Sequence, residues 1–172
     1  MSTESQVSRR RRGAQTGFIV SACLAGINCT YNGKNKLKRS IRKLVRDGTA
    51  VPVCPEVLGG SSIPRESCEI SGGDGGRVLA KRAKVRTRSG KDVTGELVSG
   101  ARKTLLLAKR LGIKRAILKS KSPSCGRGMI YDGTFKGGLR KGDGVTAALL
   151  LKHNIKIYNE KDKELWPVKS IT

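Results

Sequence analysis

Three short apolar runs, each leading into a cysteine, constrain this chain more than any other feature of its sequence. The runs are Phe18-Ile19-Val20-Ser21-Ala22 before Cys23, Ala50-Val51-Pro52-Val53 before Cys54, and Arg115-Ala116-Ile117-Leu118 before the loop that holds Cys125. Runs of this length and composition predict buried strands. Because ligands of open α/β sheets bind beyond the carboxyl ends of the strands, we expect the three thiols at one shared edge.

Helical spacing of apolar residues predicts helices between these strands. The predicted helices cover residues 36–47, 93–111 and 145–153, with Asp92 as N-cap of the second, and a last strand covers residues 155–158. Residues 59–91 are rich in glycine and predict a long loop with one hairpin at residues 77–86. Another glycine-rich turn follows Asp132-Gly133. Since strands and helices alternate, residues 17–172 are expected to form one α/β domain with a mostly parallel sheet.

The composition argues against a membrane-spanning protein, a secreted protein and a disulfide framework. No apolar stretch approaches the roughly 18 residues of a membrane span. Residues 1–16 are basic and lack the apolar segment of a secretory signal, so we interpret them as a disordered tail and expect a cytoplasmic protein. Five cysteines are an odd number for a disulfide framework, and they indicate metal-binding or catalytic thiols instead.

The net charge of +23 comes from 36 basic and 13 acidic residues. A charge of this size attracts polyanions, and RNA is the obvious candidate. However, the basic residues are scattered along the chain, the one dense run is at residues 9–12, and no aromatic residues alternate with them for base stacking. RNA contact and a merely solvated basic surface therefore both remain open.

The residues alone leave several kinds of thiol chemistry open. Three cysteines without a paired CxxC spacing could hold zinc, could hold an iron–sulfur cluster with one open iron, or could be thiol-redox residues. Cys29 and Cys68 fit equally well as small buried apolar residues. The glycine pairs match neither a phosphate-binding loop nor a dinucleotide fingerprint. His153, the single histidine, is predicted at a helix end, where it offsets the helix dipole rather than binding metal.

Two charged residues are candidates for the same site. Glu56 follows Cys54 by two residues, so its carboxylate is either a proton donor or acceptor near the thiols or an ordinary surface group. Arg65 lies in the long loop and is a candidate contact for an anionic or carbonyl group of a ligand.

Longer segments around these cysteines resemble the thiouracil desulfidase family. The segments are Val20-Ser21-Ala22-Cys23-Leu24-Ala25-Gly26, Cys54-Pro55-Glu56-Val57-Leu58-Gly59-Gly60, Pro64-Arg65, Asp92-Val93-Thr94, Leu118-Lys119-Ser120-Lys121-Ser122-Pro123-Ser124-Cys125-Gly126, Tyr131-Asp132-Gly133-Thr134-Phe135 and Gly144-Val145-Thr146-Ala147. The resemblance covers residues 17–160 and leaves the basic tail outside it.

The resemblance implies a Rossmann-like, three-layer α/β domain that holds a 4Fe-4S cluster on Cys23, Cys54 and Cys125. It also implies that a thiolated pyrimidine, a thiouracil-like base or nucleotide, loses its sulfur as sulfide without net redox change. In that scheme the substrate sulfur binds the open iron and water replaces it at the ring carbon. Glu56 would transfer protons, and Ser122 and Ser124 would position substrate or water.

The chain departs from the family pattern at three points. Asn32 stands where the family usually has Asp, Cys68 interrupts a segment that usually lacks cysteine, and the basic charge is atypical. The charge raises thiolated RNA as a substrate. The alternative function is a basic nucleic-acid-binding module with structural metal or inert cysteines.

Overall fold

The computed structural model describes residues 17–162 and Trp166, and a four-stranded sheet lies at its centre. Numbered along the chain, its strands are β1 (Phe18–Ser21), β2 (Ala50–Val53), β5 (Arg115–Leu118) and β8 (Lys156–Asn159). All pairings are parallel, in the order β2-β1-β5-β8. The carboxyl ends of β1, β2 and β5 therefore lie side by side.

Helices cover both faces of this sheet. On one face, α1 (Arg39–Arg46) packs its buried Ile41 and Leu44 among side chains of β1. On the other face, α4 (Thr94–Arg110) and α5 (Val145–Lys152) join a second core that contains Ile19 and Leu118. This three-layer arrangement confirms the predicted Rossmann-like α/β fold. No helix in the described part of the chain is both long and apolar enough to span a membrane.

Smaller elements surround the carboxyl edge of the sheet. A 3-10 helix (Ala22–Ala25) follows β1, and α2 (Pro55–Leu58) follows β2 with Pro55 at its first position, where a missing N–H costs nothing. Two antiparallel pairs are formed by β3 (Cys68–Ser71) with β4 (Lys84–Thr87) and by β6 (Met129–Tyr131) with β7 (Leu139–Lys141). A short helix, α3 (Gly75–Leu79), connects β3 to β4.

The hairpin predicted at residues 77–86 is wrong. Its first arm is part of α3, because Asp74 caps that helix by accepting a hydrogen bond from the Arg77 backbone N–H (3.0 Å). Its second arm is β4, whose partner is β3. The glycine-rich turn predicted after Asp132-Gly133 connects β6 to β7, and the prediction missed this strand pair.

The helix ends differ slightly from the prediction. The first predicted helix begins at Arg39 rather than at residue 36. The long helix begins at Thr94, so its N-cap is Val93 and not Asp92. Asp92 still serves the helix end, because its carboxylate accepts hydrogen bonds from the Thr94 backbone N–H (3.0 Å) and hydroxyl (2.6 Å). The predicted tail at residues 1–16 lies outside the described residues.

Helix α2 and the residue after it, Gly59, pack closely against Gly100 and its neighbours in α4. A Cβ atom on Gly100 would overlap the Pro55 carbonyl oxygen, and one on Gly59 would overlap the Glu96 carbonyl oxygen. The backbone that follows Cys54 is therefore fixed directly on the backbone of α4, which a side chain at either glycine would prevent.

Replacing Gly100 with Ala should lower the free energy of unfolding by about 1–3 kcal/mol, since the new methyl group overpacks the contact with α2. Gly95 lies on the same helix with open space around it, so Gly95→Ala is the matched control. The control should leave stability unchanged or raise it by up to about 1 kcal/mol through helix propensity. Urea denaturation of both variants measures the difference, and equal stabilities would contradict the close contact.

Candidate active site

A cavity of about 480 Å³ opens at the carboxyl edge of the parallel sheet. Cys23 in the 3-10 helix, Cys54 at the end of β2 and Cys125 in the loop after β5 all line it. Cys23 and Cys125 are buried, and Cys54 is half-buried. The structure thus brings together the three cysteines that the sequence predicts at one edge.

Two further thiols line the same cavity. Cys29, in the loop after the 3-10 helix, is buried, and Cys68, at the start of β3, is partly buried. The Cys54 thiol donates to the Cys29 backbone carbonyl (Sγ···O 3.8 Å). All five cysteines are free. Cys29 and Cys68 are therefore both part of the cavity wall, and of the two only Cys29 is a fully buried residue.

The surroundings of these thiols favour the protonated form. A hydrogen bond with the Cys23 thiol raises the pKa of Cys29 to about 11. Hydrogen bonding to Cys29 and burial raise the pKa of Cys54 well above its ordinary value. Burial raises the pKa of Cys125 to about 12 and of Cys68 to about 12. The Arg65 guanidinium lowers the pKa of Cys29 and Cys68, but the other effects outweigh it, so these four thiols stay neutral at physiological pH.

Glu56 and Arg65, the two charged candidates, form an ion pair in the cavity wall. The Arg65 Nε donates to Glu56 Oε2 at 2.8 Å, and the two side chains are only 12% and 15% exposed. The other guanidinium nitrogens of Arg65 donate to the carbonyl oxygens of Ser62 (3.1 Å) and Cys29 (3.1 Å). Glu56 is therefore neither an ordinary surface residue nor unpaired, and Arg65 uses its polar atoms within the protein.

The loop between β5 and Cys125 is held by hydrogen bonds at both ends. The Ser122 hydroxyl accepts from the backbone N–H groups of Ser124 (3.1 Å) and Cys125 (3.0 Å). At the start of the loop, the Ser21 hydroxyl accepts from the Lys119 N–H (2.9 Å). The Ser122 oxygen thus fixes the turn that presents Cys125, and Ser122 is itself one of the residues that line the cavity.

Ser124 has a different position from Ser122. It is fully buried, and its hydroxyl lies 2.9 Å from the Thr146 hydroxyl at the start of α5. It does not line the cavity, although its hydroxyl acts on the neighbouring Cys125 thiol by lowering that group's pKa against the larger effect of burial. Its contacts connect the Cys125 loop to α5.

Several cavity residues have no signal in the sequence strong enough to have been predicted. Those that line the cavity are Tyr31, Lys36, Glu69, Arg88, Lys121, Tyr131 and Phe135. Of the lining residues, Lys121, Tyr131 and Phe135 fall in segments that resemble family motifs. Glu160, which follows β8, is outside the lining but supports two residues of it: it accepts hydrogen bonds from the backbone N–H and hydroxyl of Ser120 (2.8 Å each) and pairs with Lys119 (3.4 Å).

Histidine takes no part in this site. His153 is the exposed C-cap residue of α5 and does not line the cavity, as its predicted place at a helix end implies. Within residues 17–162 and Trp166, no group of three or more His, Cys, Asp or Glu side chains is arranged to hold a single metal ion.

The fold is a three-layer α/β domain, and free thiols lie at the carboxyl ends of its parallel strands. These features define an α/β protein with a cysteine-lined site, and the comparisons with known proteins identify its family. The family model for 2-thiouracil desulfurase matches residues 18–162, so the chain belongs to the 2-thiouracil desulfurase family. This confirms the family that the sequence motifs resemble.

Two individual proteins are similar over most of the chain. The uncharacterized protein YbbK of Bacillus subtilis (strain 168) is 51% identical over 145 residues, which are 84% of this chain and 96% of that protein. A solved structure of the 4Fe-4S-dependent thiouracil desulfidase TudS is 40% identical, with a TM-score of 0.77 over 86% of this chain and 93% of that one.

Proposed function

We propose that the protein is a 4Fe-4S-dependent desulfidase that converts a thiolated pyrimidine, as base or nucleotide, to its oxo form. One water supplies the oxygen that bonds to the ring carbon, the bond from that carbon to its exocyclic sulfur breaks, and the sulfur leaves as hydrogen sulfide, so the reaction is a hydrolysis without net redox change. The observation that carries the proposal is the meeting of three thiols, from three adjacent strand ends, on one cavity. Family membership and the similarity to TudS support it.

The residues of the cavity fit an iron–sulfur cluster by the chemistry of the donor set. Thiolates are the ligands that such clusters use, and Cys23, Cys54 and Cys125 supply three of them. The raised pKa values of Cys54 and Cys125 mean that binding a cationic cluster would release their protons.

The protein groups around the cluster site have separate roles in this proposal. The cluster, when bound on three cysteines, supplies an open Lewis-acid iron for the substrate sulfur. Glu56 transfers a proton at its carboxylate while Arg65 holds that carboxylate in place (2.8 Å). The Ser122 hydroxyl, which lines the cavity, positions substrate or water. Ser124 stays a prediction for the same role, and its buried contact with Thr146 favours an indirect effect through the Cys125 loop.

We also infer that the protein works in the cytoplasm. Its cysteines are all free, and thiols that must ligate a cluster require a reducing compartment.

Protein purified without oxygen should be brown and contain about four irons and four sulfides per chain. Cys125→Ala should lose most of the iron and the visible absorption because a cluster ligand is gone. Cys68→Ala is the matched control, since Cys68 lines the same cavity without being a proposed ligand. Iron, sulfide and zinc analysis measures the result. A colourless wild-type protein with stoichiometric zinc would contradict the proposal.

Glu56→Gln should keep the iron content of the wild type but release sulfide from 2-thiouracil at least about 100-fold more slowly, since a general acid–base group contributes about that much. The amide can still accept the Arg65 hydrogen bond, so the cavity should keep its shape. Glu66→Gln is the control, because Glu66 is exposed and lies outside the cavity lining. Unchanged turnover in Glu56→Gln would refute the proton-transfer role.

RNA contact through the basic surface is a further proposal. Tyr31 and Tyr131 are 51% and 37% exposed on the cavity rim, where Lys36 and Lys121 also lie. The fold thus places aromatic and basic side chains together that are scattered in the sequence, as proteins that bind single-stranded nucleic acid do.

If this proposal holds, the affinity for a single-stranded RNA should fall at least about tenfold between roughly 50 and 200 mM salt, because binding releases counterions. Titration of the wild-type protein with a labelled oligoribonucleotide measures this fall. An affinity that does not change with salt, or no binding at the lower concentration, would contradict RNA contact.

A further inference from the structure

The turn between β6 and β7 places an aromatic ring on the cavity. The chain has two phenylalanines; Phe18 is buried in the sheet, whereas Phe135 lines the cavity and is only partly buried. The backbone of Phe135 has a φ of +58°, in the left-handed region that a bulky side chain rarely adopts. Neither core packing nor backbone preference accounts for this placement.

A buried carboxylate holds the turn. Glu69 on β3 is 8% exposed, and its Oε2 accepts hydrogen bonds from the backbone N–H groups of Gly133 (2.9 Å) and Phe135 (3.1 Å). Gly133 lies so close to β3 that a Cβ atom there would come within 2.5 Å of the Ile70 carbonyl oxygen. Glu69 therefore uses its charge to fix the backbone of the Phe135 turn, and the tight contact leaves that turn little freedom.

A guanidinium group fixes the ring itself. Arg88, just after β4, lies over the Phe135 ring with Cζ 5.4 Å from the centroid, within the range of a cation–π contact. The Arg88 backbone N–H donates to the Ser67 carbonyl (3.1 Å), which extends the β3–β4 pair. Glu69 on β3 thus holds the backbone of Phe135, and Arg88 after β4 lies over the face of its ring.

We propose that Phe135 is the stacking platform for the pyrimidine ring and that Glu69 is its positioning residue. A planar heterocycle stacks well on an aromatic face, and a ring fixed before binding loses little entropy when the ligand arrives. Arg88 lies over one face of the ring, and the pyrimidine takes the opposite face. This inference rests on the proposed function, since it names the group that recognises the base at the same site.

The test measures binding of uracil, the oxo product with the same ring, to the full-length, cluster-loaded protein by equilibrium dialysis, so that turnover does not consume the ligand. Phe135→Leu, which keeps an apolar side chain but removes the aromatic face, should weaken binding about tenfold. Phe135→Tyr should restore it. Leu139→Ala is the control, because Leu139 lies on the same hairpin but outside the cavity lining.

The positioning role of Glu69 has its own signature. Glu69→Ala should weaken binding to a similar extent, and Glu69→Ala combined with Phe135→Leu should be no worse than either single variant, because both changes remove the same platform. Additive losses would show that Glu69 acts on something other than Phe135. Iron content and melting temperature of each variant establish that a loss of binding is not a loss of folded protein.

The outcomes separate the inference from the proposed function. Wild-type binding by Phe135→Leu would overturn the stacking platform even if sulfide is released at the normal rate. Failure of the wild type to bind uracil would overturn it as well. If the wild type binds uracil through Phe135 but releases no sulfide from 2-thiouracil, the platform stands and the proposed reaction fails.

Discussion

The hydrogen-bond ladder between three parallel strands is the constraint on which the site depends. β1 pairs with β2 on one side, Phe18 opposite Ala50, and with β5 on the other, Ile19 opposite Ala116. In parallel strands the carboxyl ends must come out at the same edge, and buried backbone groups that left the ladder would lose their partners. Cysteines that are distant in sequence therefore meet without any direct interaction between them being needed.

Arg65 then connects the loops that leave this edge. Its planar guanidinium group reaches a carboxylate after β2, a carbonyl of the loop after β1 and a carbonyl of its own loop. A lysine could not satisfy three such acceptors in fixed directions. Because the Glu56 carboxylate is largely buried, removing Arg65 would leave a charge without compensation, which costs far more than loss of an exposed pair such as Lys84 with Asp92. The same contact that stabilises the loops thus keeps a charged group beside the thiols.

The sequence predicts the parallel sheet and the cysteine cavity because both depend on local patterns that recur at strand ends. It does not predict the parts of the site that depend on contacts across the fold. Apolar and basic side chains are interspersed over residues 77–86 as in a strand, yet the cap at Asp74 makes residues 77–79 helical. Ser124 lies one residue from a cavity cysteine but points to Thr146, and Glu69 reaches a turn more than sixty residues later.

The two largely buried carboxylates of the cavity, Glu56 and Glu69, have different partners and therefore different roles. Glu56 lies at the end of a parallel strand, next to a thiol, and is balanced by a cation. Glu69 lies on the small antiparallel pair and is balanced by backbone N–H groups of a neighbouring turn. A carboxylate held by an ion pair at the open edge remains near reacting groups, whereas one whose oxygen is occupied by two N–H donors is a structural anchor. The parallel sheet thus supplies the reactive groups, and the antiparallel pairs shape the part of the cavity that a planar ring would contact.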